Sequence, residues 1–233
     1  MRIKKALSAT ALLLTTTIAL SACSSESIKE KKNTKSLSEY VKSVMDCSYH
    51  GAYSDYKKQT GSDADSAEEV HQMCVDYYAE ATMYLLDVHS DYVSDDVKNG
   101  FKYFAEDVLK KTSYEVGEGK KSGTEGEWEV VVTVNPIDPI TYVHDDVAAY
   151  IDEFNTTYAD VDWENMSDEE LAPYEEVYAN EVLAIIKNAL PNVPYSDSKK
   201  FVVTVNESSD GYKVDDEIWN DLDDVVVGLD DLS

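Results

Sequence analysis

The spacing of apolar residues changes along this chain, and the change limits the folds that are open to it. Apolar residues recur every three or four positions through the N-terminal half, which predicts amphipathic helices. Two later segments, 127–135 and 201–206, alternate apolar and polar side chains and share the sequence VVTVN, which predicts similar strands with one apolar face. Such strands favour an antiparallel sheet packed on helices. We therefore predict an α+β fold with a helical N-terminal half and a sheet of about three or four strands.

Serine residues mark several of the predicted helix starts. Ser36, Ser66 and Ser167 are each followed three residues later by Glu, which is the spacing of a capping box. Ser94 precedes another apolar stripe, and a final helix is predicted over residues 216–226. Helices thus surround the predicted strands along the sequence.

The N-terminus carries three features in a fixed order. Residues 1–5 are basic, and residues 6–20 are uncharged but too short for a membrane-spanning helix, which needs about 20 mainly apolar residues. The tetrapeptide LSAC, ending at Cys23, follows directly and resembles the lipobox of bacterial lipoproteins. The resemblance implies cleavage between Ala22 and Cys23 and transfer of a diacylglycerol to the Cys23 thiol.

These features predict a domain organisation and a location. We expect residues 1–22 to be a signal peptide, residues 23–35 a lipidated cysteine with a flexible tether, and residues 36–233 a single extracytoplasmic domain. Acylated Cys23 would insert into the lipid bilayer and hold the protein on the outer face of the cell membrane. More than one acyl chain is needed for stable anchoring, because a single chain binds membranes only marginally.

Charge excludes one class of partner. The formal net charge is −27, and the only arginine is Arg2. Nucleic-acid binders displace counterions with clustered Lys and Arg, so we expect no nucleic-acid partner. Residues 36–233 carry 45 Asp and Glu against 13 Lys, and an anionic membrane surface therefore repels this part of the chain.

The whole pattern resembles a known group of proteins. The lipobox, the strand WEVVVTVNPI and the closing segment FVVTVNESSDGYKVDDEIWNDLD are similar to uncharacterised lipoproteins of Gram-positive Firmicutes. The resemblance implies a cystatin-like or NTF2-like α+β domain.

Sequence motifs for catalysis are absent. None of the four histidines lies beside a serine-hydrolase elbow, a zinc-protease pair or a Gly-rich phosphate loop, and we expect no cofactor. The leading hypothesis is a non-catalytic binding or interaction domain for an envelope protein or a small ligand. The alternative is a cell-envelope hydrolase that uses paired carboxylates.

Two cysteines remain once Cys23 is lipidated. Cys47 and Cys74 both fall on the apolar faces of predicted helices, and a disulfide between them suits an extracytoplasmic protein. Two buried free thiols are one alternative. A zinc site is the other, because Cys47 with His50 and His71 with Cys74 each have the i, i+3 spacing that places both ligands on one helix face.

Trp163 is a further candidate residue. It lies between two predicted helices in a polar loop rich in acidic residues. An exposed tryptophan in such a loop stacks on a sugar ring or docks a partner, or else it folds back onto the core. Both alternatives remain open at the level of sequence.

The lipobox yields a direct prediction. Cys23→Ser removes the sulfur that would receive the diacylglycerol, so the precursor should remain uncut and unlabelled by radioactive palmitate. The measurement is metabolic labelling followed by gel electrophoresis of the membrane fraction. Labelling of the serine variant at wild-type level, with cleavage at the same bond, would contradict the lipoprotein assignment.

Overall fold

The computed structural model describes residues 26–208 and 211–229, which form eight α-helices, two short 3₁₀ helices and four β-strands. The helices are α1 (Glu26–His50), α2 (Tyr53–Thr60), α3 (Ala64–Leu85), α4 (Asp95–Leu109), α5 (Pro139–Tyr142), α6 (His144–Thr157), α7 (Asp168–Ala189) and α8 (Asp216–Val226). The 3₁₀ helices are Trp163–Asn165 and Leu190–Asn192. The strands are β1 (Ser113–Lys121), β2 (Glu127–Asn135), β3 (Lys199–Ser208) and β4 (Gly211–Val214). The predicted α+β class is confirmed.

The four strands form one antiparallel sheet in the order β1-β2-β3-β4. The two segments that share VVTVN are neighbours in it, with Val130 opposite Val203. Val130, Val132 and Val134 are buried on one face, whereas Val202 on the other face keeps 48% of its surface exposed. The sheet therefore has one apolar face, as the alternation in the sequence predicts.

Helices cover the apolar face of the sheet. α1 packs on β1, where the Ser38 hydroxyl donates a hydrogen bond to the Gly117 carbonyl at 2.7 Å, and α8 packs on β2 and β3. α3 and α4 pack on each other, and α7 packs on α4. α5, α6 and α7 all belong to the connection between β2 and β3. This connection packs on the N-terminal helices through the contact of α7 with α4.

Two predicted helix starts are confirmed. The Ser94 hydroxyl accepts a hydrogen bond from the Val97 amide and caps α4. Ser167 and Glu170 form the complete capping box that begins α7, with a hydrogen bond in each direction. In both cases the local hydrogen bonds satisfy amides that the first helical turn leaves without partners.

The predicted start near Ser66 is wrong by three residues, or nearly one helical turn. α3 begins at Ala64, because the Asp63 carboxylate accepts a hydrogen bond from the Ser66 amide at 2.8 Å and acts as the N-cap. Aspartate caps helices as well as serine does, and it lies further upstream.

The predicted tether is also corrected in part. α1 begins at Glu26, so residues 26–35 of the tether assigned to residues 23–35 are helical, and Ser36 lies inside the helix. Lys and Glu in this segment are good helix formers, but the segment lacks the apolar stripe on which the prediction relied. The signal peptide and Cys23 lie outside the described residues.

Two aspartates attach α8 to the other helices. The Tyr49 hydroxyl of α1 donates to Asp223 at 2.5 Å, and the Tyr77 hydroxyl of α3 donates to Asp224 at 2.8 Å. Burial raises the pKa of Asp223 to about 7; the hydrogen bond from Tyr49 opposes this shift, and the neighbouring charge of Asp224 adds to it. Ionisation of Asp223 therefore destabilises the packed position of α8.

This junction predicts a pH dependence of folding. The pKa of Asp223 is higher in the folded protein than in the unfolded chain, so its contribution to stability is present at acidic pH and is lost as the pH rises toward about 7. Asp223→Asn removes this loss while keeping an oxygen that accepts from Tyr49. Relative to wild type, we expect the variant to gain on the order of 2–4 kcal/mol between pH 4 and pH 7.5.

Urea unfolding at a series of pH values measures this gain. The control is Asp221→Asn, which removes an equal charge from an exposed position on the same helix. Identical pH profiles for the two variants would show that Asp223 is not the group responsible.

Candidate functional site

A cavity of about 340 Å³ lies on the side of the molecule formed by α6, α7 and the turn after α3. Its lining divides by chemistry into aromatic, aliphatic and polar groups. The aromatic residues are Phe154, Trp163, Tyr174 and Tyr178, the aliphatic ones Ile151 and Leu171, and the polar ones Asp87, His89, Asn155 and Glu175. The volume is at the lower end of the range for small-molecule sites, roughly 300–1,000 Å³.

The aromatic wall is part of a larger cluster of rings. Tyr150 and Phe154 of α6 and Tyr158, which caps the C-terminus of α6, follow one another at a spacing of four residues and lie on the same side of the helix. Phe154 lies 6.2 Å from Trp163 and 5.5 Å from Tyr178, measured between ring centroids. Trp163 also meets Tyr174 edge to face at 5.1 Å. These contacts fix the orientation of the rings that face the cavity.

The capping box at Ser167 determines where the second half of this wall lies. α7 begins at Asp168, and only two residues separate it from the 3₁₀ helix that carries Trp163. Tyr174 and Tyr178 are then four residues apart and share one face of α7. A well-defined helix start thus places both tyrosines beside the tryptophan.

The turn after α3 supplies the first carboxylate. The Val88 amide donates to the Met83 carbonyl at 2.8 Å, which closes the helix in the manner of a Schellman motif. Asp87 occupies the left-handed position of this motif, with φ of 57°, and is the only non-glycine residue with positive φ in the part of the chain that is described. Glycine is favoured there, so the side chain of Asp87 is retained at an energetic cost.

The second carboxylate belongs to Glu175 on α7. Its Oε1 accepts a hydrogen bond from His89 Nδ1 at 2.8 Å. Its Oε2 is buried and has no hydrogen-bond partner among the described residues. A buried carboxylate oxygen without a donor is unfavourable, and a ligand that supplies one would remove the penalty.

Hydrogen bonds tie the turn after α3 to α7. The Tyr178 hydroxyl donates to the Leu86 carbonyl at 2.9 Å, and the Ser94 amide and hydroxyl both donate to Glu176. Burial raises the pKa of Tyr178 to about 12, with smaller contributions from Asp87 and Glu175. The Tyr178 hydroxyl is therefore neutral and hydrogen-bonded to the backbone, and the part of Tyr178 that lines the cavity is its ring.

Trp163, predicted as a candidate contact, lines this cavity. Its ring packs on Phe154 and Tyr174 and still keeps 39% of its surface exposed. One part of the ring thus covers the aromatic cluster, while another part remains accessible.

The four candidate zinc ligands do not form a metal site. His50 Nε2 donates to the carbonyl and hydroxyl oxygens of Thr112, and His71 Nδ1 donates to the Ser48 carbonyl. Within residues 26–208 and 211–229, no group of three or more His, Cys, Asp or Glu side chains is placed to hold a metal ion. The structure thus does not bring Cys47, His50, His71 and Cys74 together as the ligand set that the zinc alternative needs.

The predicted disulfide is not formed in the structure, where Cys47 and Cys74 are both free thiols. The Cys47 thiol instead donates a hydrogen bond to the Ala67 carbonyl of α3, with 3.3 Å between Sγ and the oxygen. Burial raises the pKa of Cys47 to about 12 and that of Cys74 well above its ordinary value.

Sequence reasoning missed Asp87, His89 and Glu175 as site residues. Asp87 and His89 lie more than fifty residues before α6 and reach the cavity only through packing. One signal was available, because aromatic residues recur at four-residue spacing on both sides of Trp163. Three of those aromatic residues, Phe154, Tyr174 and Tyr178, line the cavity.

The lipidation residue Cys23 and the cleavage residue Ala22 lie outside the described residues. Over the described part of the chain, none of the helices combines the length and apolarity needed to cross a membrane.

Comparison with known proteins gives one informative similarity. No family model matches the chain, and no curated protein matches it. The fold is similar to the crystal structure of a "putative lipoprotein (ycdA)" from Bacillus subtilis, with a TM-score of 0.53 and 17% sequence identity. The similarity covers 87% of this chain and 60% of that one. At this level of identity the comparison shows a shared fold.

Proposed function

We propose that this protein is a membrane-anchored bacterial lipoprotein whose extracytoplasmic domain binds a small ligand in the aromatic cavity. The lipobox pattern ending at Cys23 supports the anchoring, as does the shared fold with a Bacillus subtilis protein described as a lipoprotein. The anchor holds the binding domain at the outer face of the cell membrane.

The observation that carries the binding function is the exposed aromatic wall of the cavity. Trp163 retains 39% of its surface exposed although it lies among three other rings. A ligand that covers this surface gains roughly 25 cal/mol for each Å² of apolar area removed from water. Concave apolar sites with a few convergent polar groups are typical of small-molecule binding, and Asp87, His89 and Glu175 supply those groups.

A second candidate function rests on the two carboxylates. Asp87 and Glu175 line the same cavity, and glycosidases use a pair of carboxyl groups on either side of the scissile bond. The binding function ranks first because one oxygen of Glu175 is already held by His89 and the wall is dominated by rings.

Filling the cavity tests the proposed function. Asn155→Trp places a large side chain into the cavity from an exposed position on α6, and we expect it to abolish ligand binding. Thr156→Trp is the matched control, because Thr156 is its exposed neighbour and does not line the cavity. Ligand-observed NMR with a panel of small amines, sugars and carboxylates measures binding to the wild type and to both variants.

The expected result is that at least one compound class binds the wild type and the Thr156 variant, and not the Asn155 variant. Binding that survives in the Asn155 variant would place the ligand elsewhere and contradict the proposal. Incubation with cell-wall glycan fragments tests the alternative: cleavage by the wild type that disappears in Glu175→Gln would establish a hydrolase.

A further inference from the structure

We infer that the cavity binds a small protonated amine, whose ammonium group donates a hydrogen bond to Glu175 while its apolar body contacts the aromatic wall. The inference rests on the proposed function and narrows it to one class of ligand. Three features support it: the charge of the cavity lining, the unsatisfied acceptor of the lining residue Glu175, and the rings.

The charge of the lining selects against anions. Asp87 and Glu175 both line the cavity, and among the described residues neither Lys nor Arg does. His89 lies beside Glu175 and is the one basic side chain of the lining. The surrounding domain is strongly acidic, so its field concentrates cations at the surface and repels anionic ligands.

The hydrogen-bonding pattern around Glu175 favours a ligand that donates a hydrogen bond. Glu175 Oε2 is buried and lacks a partner within the described part of the chain, while Oε1 is occupied by His89. A carboxylate only accepts hydrogen bonds, so the group missing from this position is an N–H or O–H donor. An ammonium N–H is the strongest match, because a hydrogen bond between two charged groups is shorter and stronger than one between neutral groups.

The rings suit a cation that carries an apolar body. Phe154, Trp163 and Tyr174 line the cavity, and aromatic faces attract ammonium groups through their quadrupole. The hydroxyl of Tyr178 is committed to the Leu86 carbonyl, so Tyr178 contributes ring surface without a free donor.

The size of the cavity limits the amine to a small molecule. At about 340 Å³ the cavity has room for one ring or short chain. 2-Phenylethylamine is therefore a suitable probe. 2-Phenylethanol is its neutral counterpart, because a hydroxyl replaces the ammonium group with the rest of the molecule unchanged.

Isothermal titration calorimetry with both probes tests the inference. We expect wild type to bind 2-phenylethylamine about tenfold or more tightly than 2-phenylethanol, the factor typical of one charge-assisted hydrogen bond. Glu175→Gln should weaken amine binding by about the same factor and leave binding of the alcohol within twofold. Asp87→Asn, a conservative change at an exposed carboxylate, should weaken the amine by a smaller factor.

Glu169→Gln is the matched control. It removes the same charge from the first turn of the same helix without altering the cavity lining, and it should leave amine affinity unchanged. If Glu169→Gln and Glu175→Gln lower the affinity for 2-phenylethylamine equally, the effect arises from net charge alone and the inference is wrong.

The outcomes also separate this inference from the proposed function. If 2-phenylethanol or a neutral sugar binds as tightly as the amine, and Asn155→Trp abolishes that binding, the amine inference is wrong and the proposed function stands. If no small ligand responds to Asn155→Trp, the proposed function fails, and the amine inference fails with it.

Discussion

The pairing of β2 with β3 is the constraint on which the rest of this structure depends. Each strand has one apolar face, and pairing in the observed register puts Val130 and Val203 into the same core, whereas a slip of one residue would turn one set of valines to the other face. The chain must therefore leave the sheet at the end of β2 and re-enter it as β3, which runs antiparallel to β2. Residues 136–198 make that excursion as the helices α5, α6 and α7, while α1 and α8 cover the sheet itself.

The inserted helices pack directly on the N-terminal helices, and this packing determines the shape of the cavity. α7 approaches α4 so closely that a Cβ atom at Gly100 would lie 2.5 Å from Leu183 Cδ2. The hydrogen bonds from Ser94 to Glu176 and from Tyr178 to Leu86 add polar contacts to this apolar one. The cavity thus lies at the contact between a rigid helical core and an inserted helical pair. Contacts between elements distant in sequence commonly form ligand sites.

Local patterns in the sequence predicted much of the fold. The alternation in residues 127–135 and 201–206 gave the correct strands, and the caps at Ser94 and Ser167 gave correct helix starts, because these signals act over a few residues. The start of α1 failed for the converse reason, since its first ten residues have helical propensity without an apolar stripe.

The candidate site was predicted only through Trp163. That residue stood out because a tryptophan in a polar loop is unusual, whereas aspartates and glutamates are abundant in this chain and none could be singled out. The partnership of Asp87 and Glu175 arises from packing between elements far apart in sequence, which residue spacing does not encode. The same limit applies to Cys47 and Cys74: their apolar positions suggested a bridge, and residue spacing did not reveal that both thiols are free in the structure.

The left-handed backbone at Asp87 has a consequence for engineering and for natural variation. Glycine at this turn would relieve strain of about 1 kcal/mol, so a screen that rewards only resistance to heat would favour Asp87→Gly. Such a variant would fold more robustly and lose a carboxylate from the cavity. Thermal stability and cation binding would therefore favour different residues at position 87. Selection for heat resistance alone would yield a more stable domain with a weaker binding site.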